Sequence, residues 1–130
     1  MKILVPIVIL AILVSCKPHN DNKEGQKILD EVMAIHDEVM PEISTIHKLK
    51  VKLRKLKDDS REVYVLIADL ENSDEGMMSW MANFKSDKYA DDNEQILYLR
   101  SEKAKIEYVS KQMKSAINNA QTFLSTYNND

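Results

Sequence analysis

The chain of 130 residues carries one cysteine, two glycines, three prolines and 6 % aromatics, and each shortage closes off a class of protein. A lone cysteine, Cys16, cannot form a disulfide within the chain, so no covalent staple holds the fold. Glycine occurs only at Gly25 and Gly76. That rules out a glycine-rich phosphate loop and a G-x-S-x-G nucleophile elbow, and H-E-x-x-H is missing as well. The pattern C-x-x-C-H is absent, which excludes a covalently attached c-type haem. No stretch alternates β-branched with polar residues, so no strand is expected. The net charge is −3, which provides no overall positive field for nucleic acid.

What is present begins with Met1-Lys2 and the apolar run "ILVPIVILAILV", Ile3 to Val14. A positive start, an apolar stretch and the small residue Ser15 make residues 1–15 a signal peptide. The run falls short of the roughly 20 apolar residues that span a bilayer. Its end, "LVSC" (Leu13 to Cys16), resembles a bacterial lipobox, and this resemblance implies cleavage before a diacylglyceryl-modified Cys16. Two or more acyl chains anchor a protein stably, at ~0.8 kcal/mol per buried methylene. Residues 16–23 then read as lipidated cysteine and polar tether. By resemblance to enterobacterial sorting, Lys17-Pro18 lacks the aspartate that retains lipoproteins in the inner membrane. The expected location is therefore the outer membrane, facing the periplasm.

The remainder, residues 24–127, reads as all-α. Lys, Glu, Asp, Met and Ala are abundant, and apolar positions recur at steps of three and four. The first series runs Ile28, Val32, Ile35, Val39, Ile43, Ile46, Leu49, Leu53, Leu56. Acidic residues lie near its start and the cations of "HKLKVKLRKLK" (His47 to Lys57) near its end, as the helix dipole favours. Pro41 interrupts it without a change of phase, which predicts a kink rather than a break. "DDS" (Asp58 to Ser60) offers a turn and an N-cap. The second series is Val63, Ile67, Leu70, Asp74, Met77, Met81, Phe84. After "KSDKYADDN" (Lys85 to Asn93) the third is Ile96, Leu99, Lys103, Ile106, Ser110, Met113, Ile117, Ala120, Leu124. Three helices on short connections predict an up-down-up bundle, elongated and coiled-coil-like. Asp74, alone and charged on its stripe, is expected to meet Lys103 or water.

The densest chemistry lies in "MMSWM" (Met77 to Met81) and "MAIHDEVMP" (Met33 to Pro41). Antiparallel pairing about a turn near Asp59 sets Met77 level with Met40 and Met81 level with His36. Thioether and imidazole are soft to borderline ligands suited to Cu(I) or Ag(I). His36, Met40, Met77 and Met81 are thus candidate ligands, with Met33 and Met78 in reserve and Trp80 as a shield. A haem on His36 and one methionine is a weaker variant. The plainer account, which takes precedence, is core packing: methionine fills irregular gaps and packs well on an indole.

The strings "HDEVMP" and "MMSWMANF", behind a lipobox and ahead of a Lys/Glu-rich third helix, resemble small helical lipoproteins of Bacteroidota, often labelled "viral A-type inclusion protein". The resemblance implies an envelope lipoprotein. The expectation is therefore a non-catalytic, lipid-anchored envelope module with a structural or interaction role and no cofactor. Its partners would be the membrane through Cys16 and an envelope protein or cell-wall polymer, not nucleic acid. The alternative is a periplasmic Cu(I)-binding protein. Adjacent acidic pairs such as Asp37-Glu38 and Asp91-Asp92 point to different sides and do not converge for acid/base work.

Overall fold

The computed structural model describes residues 21–87 and 92–127. The expected leader, Cys16 and most of the tether lie outside them. Within the described residues the chain is helical and without strands. α1 spans Asp21–Val39, α2 Glu42–Lys55, α3 Arg61–Asn83 and α4 Asp92–Tyr127. α1 starts inside the segment expected to be tether. Its first turns pack directly on α4, because Gly25 is buried with Ile96 close enough that an added Cβ would touch its Cγ1 at 3.8 Å.

Pro41 does more than kink the first helix. It has no N–H to give the carbonyl of Asp37, and the α-helical assignment stops at Val39 and resumes at Glu42. Across the gap Ile43 bonds to the Met40 carbonyl at 3.2 Å and Ser44 to that of Pro41 at 3.3 Å, tighter three-residue steps. Pro41 keeps right-handed helical angles (φ −60°, ψ −25°), so the backbone continues in the same general course. This explains why the buried stripe survives the break: Ile28, Val32 and Val39 lie before it, Ile46, Leu49 and Leu53 after it.

α2 closes with Lys57 at φ 53°, a left-handed position more often filled by glycine. Asp58 then accepts a bond from the Ser60 amide at 2.8 Å, and Ser60 caps α3 by accepting from the Val63 amide at 3.3 Å. The capping serine is the one the "DDS" turn predicts.

The 36 residues of α4, about 54 Å at ~1.5 Å per residue, run alongside all the others. α1 and α2 pack on it, and so does α3. Ion pairs give the alignment. Glu24 pairs with Arg100, Glu31 with Lys103 and Glu38 with Lys114, in the same order along α1 and α4. Between α2 and α3 the order reverses: Lys50 faces Asp74, and Arg54 faces Glu71. The core is one continuous cluster whose fully enclosed members include Val32, Val39, Ile46, Leu53, Leu70, Met77, Leu99, Ile106 and Met113.

Two stripes differ from expectation by one residue, for a common reason. On α3 Leu66, Ser73 and Trp80 join Val63, Leu70 and Met77 among the buried residues, while Ile67, Asp74 and Met81 are half-buried. On α4 it is Glu102, not Lys103, that is buried. Each of these helices touches more than one neighbour, so its apolar face is wider than a single seam. Positions at i+3 and i+4 then fall on different flanks. Asp74 consequently meets His47 and Lys50 of α2, at 3.7 and 4.0 Å. The expected Asp74–Lys103 pair does not form, and Lys103 instead donates to Glu31 of α1 at 2.8 Å.

Two substitutions test this packing by denaturant unfolding. Ile106→Ala, at a position with no exposure, should cost about 2–5 kcal/mol. Gly76→Ala should raise stability by about 0.4–1 kcal/mol, since the added Cβ meets only Val109 methyls at ordinary contact distances of 3.9 and 4.0 Å and the helix interior favours alanine.

Candidate functional site: a histidine, a thioether and an aromatic row

The residues singled out by chemistry converge only in part. His36, in the last turn of α1, is half-buried. Its Nδ1 lies 2.9 Å from Asp37 Oδ1, and its Nε2 lies 3.2 Å from Met81 Sδ on α3. The level pairing of His36 with Met81, expected from the register of the two segments, is thus present. Met40 is half-buried and packs against the core one turn beyond His36. Met77 lies elsewhere in chemical terms: it has no exposure and is enclosed by core hydrocarbon. Met33 and Met78 are exposed.

Trp80 sits beside the imidazole, with ring centroids 6.0 Å apart and planes at 38°. It stacks on Phe84 at 4.8 Å, and Phe84 in turn lies 6.3 Å from Tyr98 of α4. Tyr98 accepts a hydrogen bond from the Lys85 amide at 2.8 Å, tying the start of the α3–α4 connection to α4. A row of four rings therefore crosses from α1 through α3 to α4. Such offset and tilted pairs stabilise by about 0.5–1.5 kcal/mol each beyond the area they bury. The row holds Met81's neighbour Trp80 in place and thereby fixes the wall of the His36 site.

No protein-family model, curated protein or solved structure matches this chain. Its chemistry is accordingly read from its own side chains. Among the described residues no three His, Cys, Asp or Glu side chains gather into a metal-binding group, so the hard and borderline donors are dispersed. The imidazole of His36 and the thioether of Met81 do approach one another, across two helices.

Several partly buried charges elsewhere are matched. Glu102, the buried carboxylate of α4, accepts from Lys105 at 2.7 Å, and this bond raises the Lys105 ammonium above its ordinary value. Glu102 was not among the expected core positions. From Leu99 to Ile106 both 102 and 103 lie on the stripe, and spacing alone does not say which flank α3 covers. The basic stretch at the end of α2 is partly used as well. Arg54 donates to Glu71 at 2.5 Å, while Lys48, Lys52, Lys55 and Lys57 face solvent.

The Glu31–Lys103 pair predicts a pH dependence. The Lys103 hydrogen bond, then its charge, holds the Glu31 carboxyl below its ordinary value of 4.5, and the Glu31 hydrogen bond, then its charge, lifts Lys103 above 10.5. The Glu31 contribution is complete above pH 4.5 and is lost as pH falls through the lowered folded value. The Lys103 contribution is complete below pH 10.5 and is lost as pH rises through the raised one. Stability should therefore lose this pair's share at both extremes and keep it between. Because both groups are open to water the share is small. Glu31→Gln should flatten the acid limb of a stability–pH curve measured by urea unfolding, whereas an unchanged limb would dissociate the pair from acid unfolding.

Proposed function

We propose that this chain is a lipid-anchored module of the bacterial cell envelope with a structural or interaction role and no catalysis. The observation that carries the reading is the placement of the only cysteine, Cys16, at the end of the apolar stretch Ile3 to Val14 within "LVSC". Cleavage there leaves a modified sulfur as the first mature residue. Helix α1 begins at Asp21, so the tether between lipid and folded domain is short. The same proposal places the protein at the outer membrane, facing the periplasm, in keeping with its resemblance to Bacteroidota lipoproteins.

The domain itself is proposed to be an elongated, coiled-coil-like, up-down-up three-helix bundle, with α1 and α2 together forming the first, interrupted helix. Two features support an interaction role. Several half-buried charges are engaged with opposite charges between or along helices: Lys50–Asp74, Lys103–Glu31 and Lys105–Glu102. Meanwhile Tyr64, Leu97 and Tyr108 stand 75 %, 66 % and 64 % exposed on α3 and α4. Aromatic side chains supply large contact area at low conformational cost and are enriched in binding surfaces. The partner is an envelope protein or a cell-wall polymer, and export leaves nucleic acid out of reach.

The anchor is tested by expressing the full chain with Cys16→Ser in a bacterial host supplied with labelled palmitate. The parent chain should incorporate label and fractionate with membranes, and the variant should lose both the label and the lipid-dependent membrane association. Equal incorporation by the two chains would remove the anchor and the location with it.

A further inference from the structure

We infer that His36 and Met81 form a binding site for a soft monovalent cation of the Cu(I) or Ag(I) class, which goes beyond the role as an envelope module. The argument begins with hydrogen-bonding capacity. An ionised carboxylate can only accept, so the 2.9 Å contact from His36 Nδ1 to Asp37 Oδ1 places a proton on Nδ1. A neutral imidazole then carries a lone pair on Nε2. That lone pair faces Met81 Sδ at 3.2 Å, and thioether sulfur is itself only an acceptor. Two acceptors held this close from different helices call for an electrophile between them. Either a second proton or a soft metal ion answers, and the donor pair suits the metal.

The remaining surroundings match what such an ion needs. Imidazole nitrogen and thioether sulfur are ligands for soft and borderline metals, whereas among the described residues the carboxylates do not gather into a hard site. Asp37 on Nδ1 is the outer partner that metal-bound histidines ordinarily have, fixing tautomer and ring orientation. Trp80, its ring centroid 6.0 Å from that of His36, sets an indole beside a bound cation. Met40 lies one turn beyond His36 and, like Met81, is half-buried against the core. Its amide bonds to the His36 carbonyl at 3.0 Å, so the two residues are neighbours on one helical face and Met40 is assigned as the third donor.

The distance is also compatible. With zinc–imidazole and zinc–thiolate lengths of ~2.0–2.1 and ~2.3 Å as the yardstick, two ligand atoms 3.2 Å apart subtend roughly 95° at the metal. Opening to a trigonal angle requires a separation of about 3.8 Å, and the three rotatable bonds of Met81 can supply the difference. Met77 takes no part, because it is wholly enclosed by the core. The site sits at the α1–α3 junction, where His36 keeps 18 % of its side chain open to water and an ion can reach it.

The test uses the full chain in detergent, carrying Cys16→Ser throughout so that no thiol competes, in chloride-free buffer with silver nitrate as the probe. Calorimetry should give one Ag(I) per chain, accompanied by a change in emission from Trp80, the only tryptophan. In nitrogen-15 spectra the His36 Nε2 resonance should move with the same saturation. Met81→Leu and His36→Gln should each weaken binding about tenfold or more, and Asp37→Asn about tenfold, while Met77→Leu leaves it unchanged. Circular dichroism of each variant should match the parent, and Met81→Leu, which conserves apolar volume, keeps the test meaningful if His36→Gln misfolds. Absence of saturable binding would overturn the inference, as would binding that survives Met81→Leu. A His36 Nε2 that takes up a proton on acidification but ignores Ag(I) would also overturn it, leaving an N–H···S hydrogen bond as the explanation of the contact.

Discussion

The structure depends on the burial of one long apolar seam of α4 against the other three helices at once. From Ile96 through Leu99, Ile106, Met113 and Ala120 to Leu124, that seam is shut away from water along nearly the whole helix. Isolated helices of α1's or α2's length are marginal in water, so each gains its order from this contact and not from propensity. Large side chains with no exposure, such as Leu53, Leu70 and Ile106, are worth about 1.5–3 kcal/mol each in transfer from water. Surface ion pairs set direction and register but add little to that. Glu24–Arg100, Glu31–Lys103 and Glu38–Lys114 act in this way, ranking one sliding alignment of α1 on α4 above its alternatives.

Because α4 holds both α1 and α3, it also decides which side chains of those two helices meet. His36 belongs to α1 and Met81 to α3, and their 3.2 Å approach depends on two separate alignments against a common third element. The ring row from His36 through Trp80 and Phe84 to Tyr98 spans the same three helices. A slip of one turn on either side would separate the imidazole from the sulfur by about 5.4 Å. The soft-donor site is therefore a consequence of the packing, and a sensitive reporter of it.

Much of this was legible in the residues. Steps of three and four placed Val32, Val39, Ile46, Leu53, Leu70, Ile106 and Met113 inside, and all seven are fully enclosed. The Ser60 cap followed from its position after two aspartates and before an apolar series. The pairing of His36 with Met81 followed from counting outward from that turn. What was not legible has two causes. Periodicity gives the centre of an apolar face but not its width, so a helix with two neighbours buries Trp80 and Ser73 where the count pointed to Met81 and Asp74. The fate of Glu102 and Lys103 depends in the same way on which neighbour covers which flank. Pro41 illustrates the second cause. Its missing donor predicts a disturbance, but whether the helix bends or divides is set by how the next turn recovers its bonds, and here it tightens to three-residue steps.

The shared seam is tested most directly by native-state hydrogen exchange across a denaturant series. If α4 is the common partner of the other helices, the amides of Ile106 and Met113 should exchange only through global unfolding, and those of Val32 on α1 and Leu70 on α3 should converge on the same free energy. Exchange of Val32 through a separate, low-energy opening while α3 and α4 stay protected would show that α1 is an independent appendage. The account of a single packed unit would then be wrong.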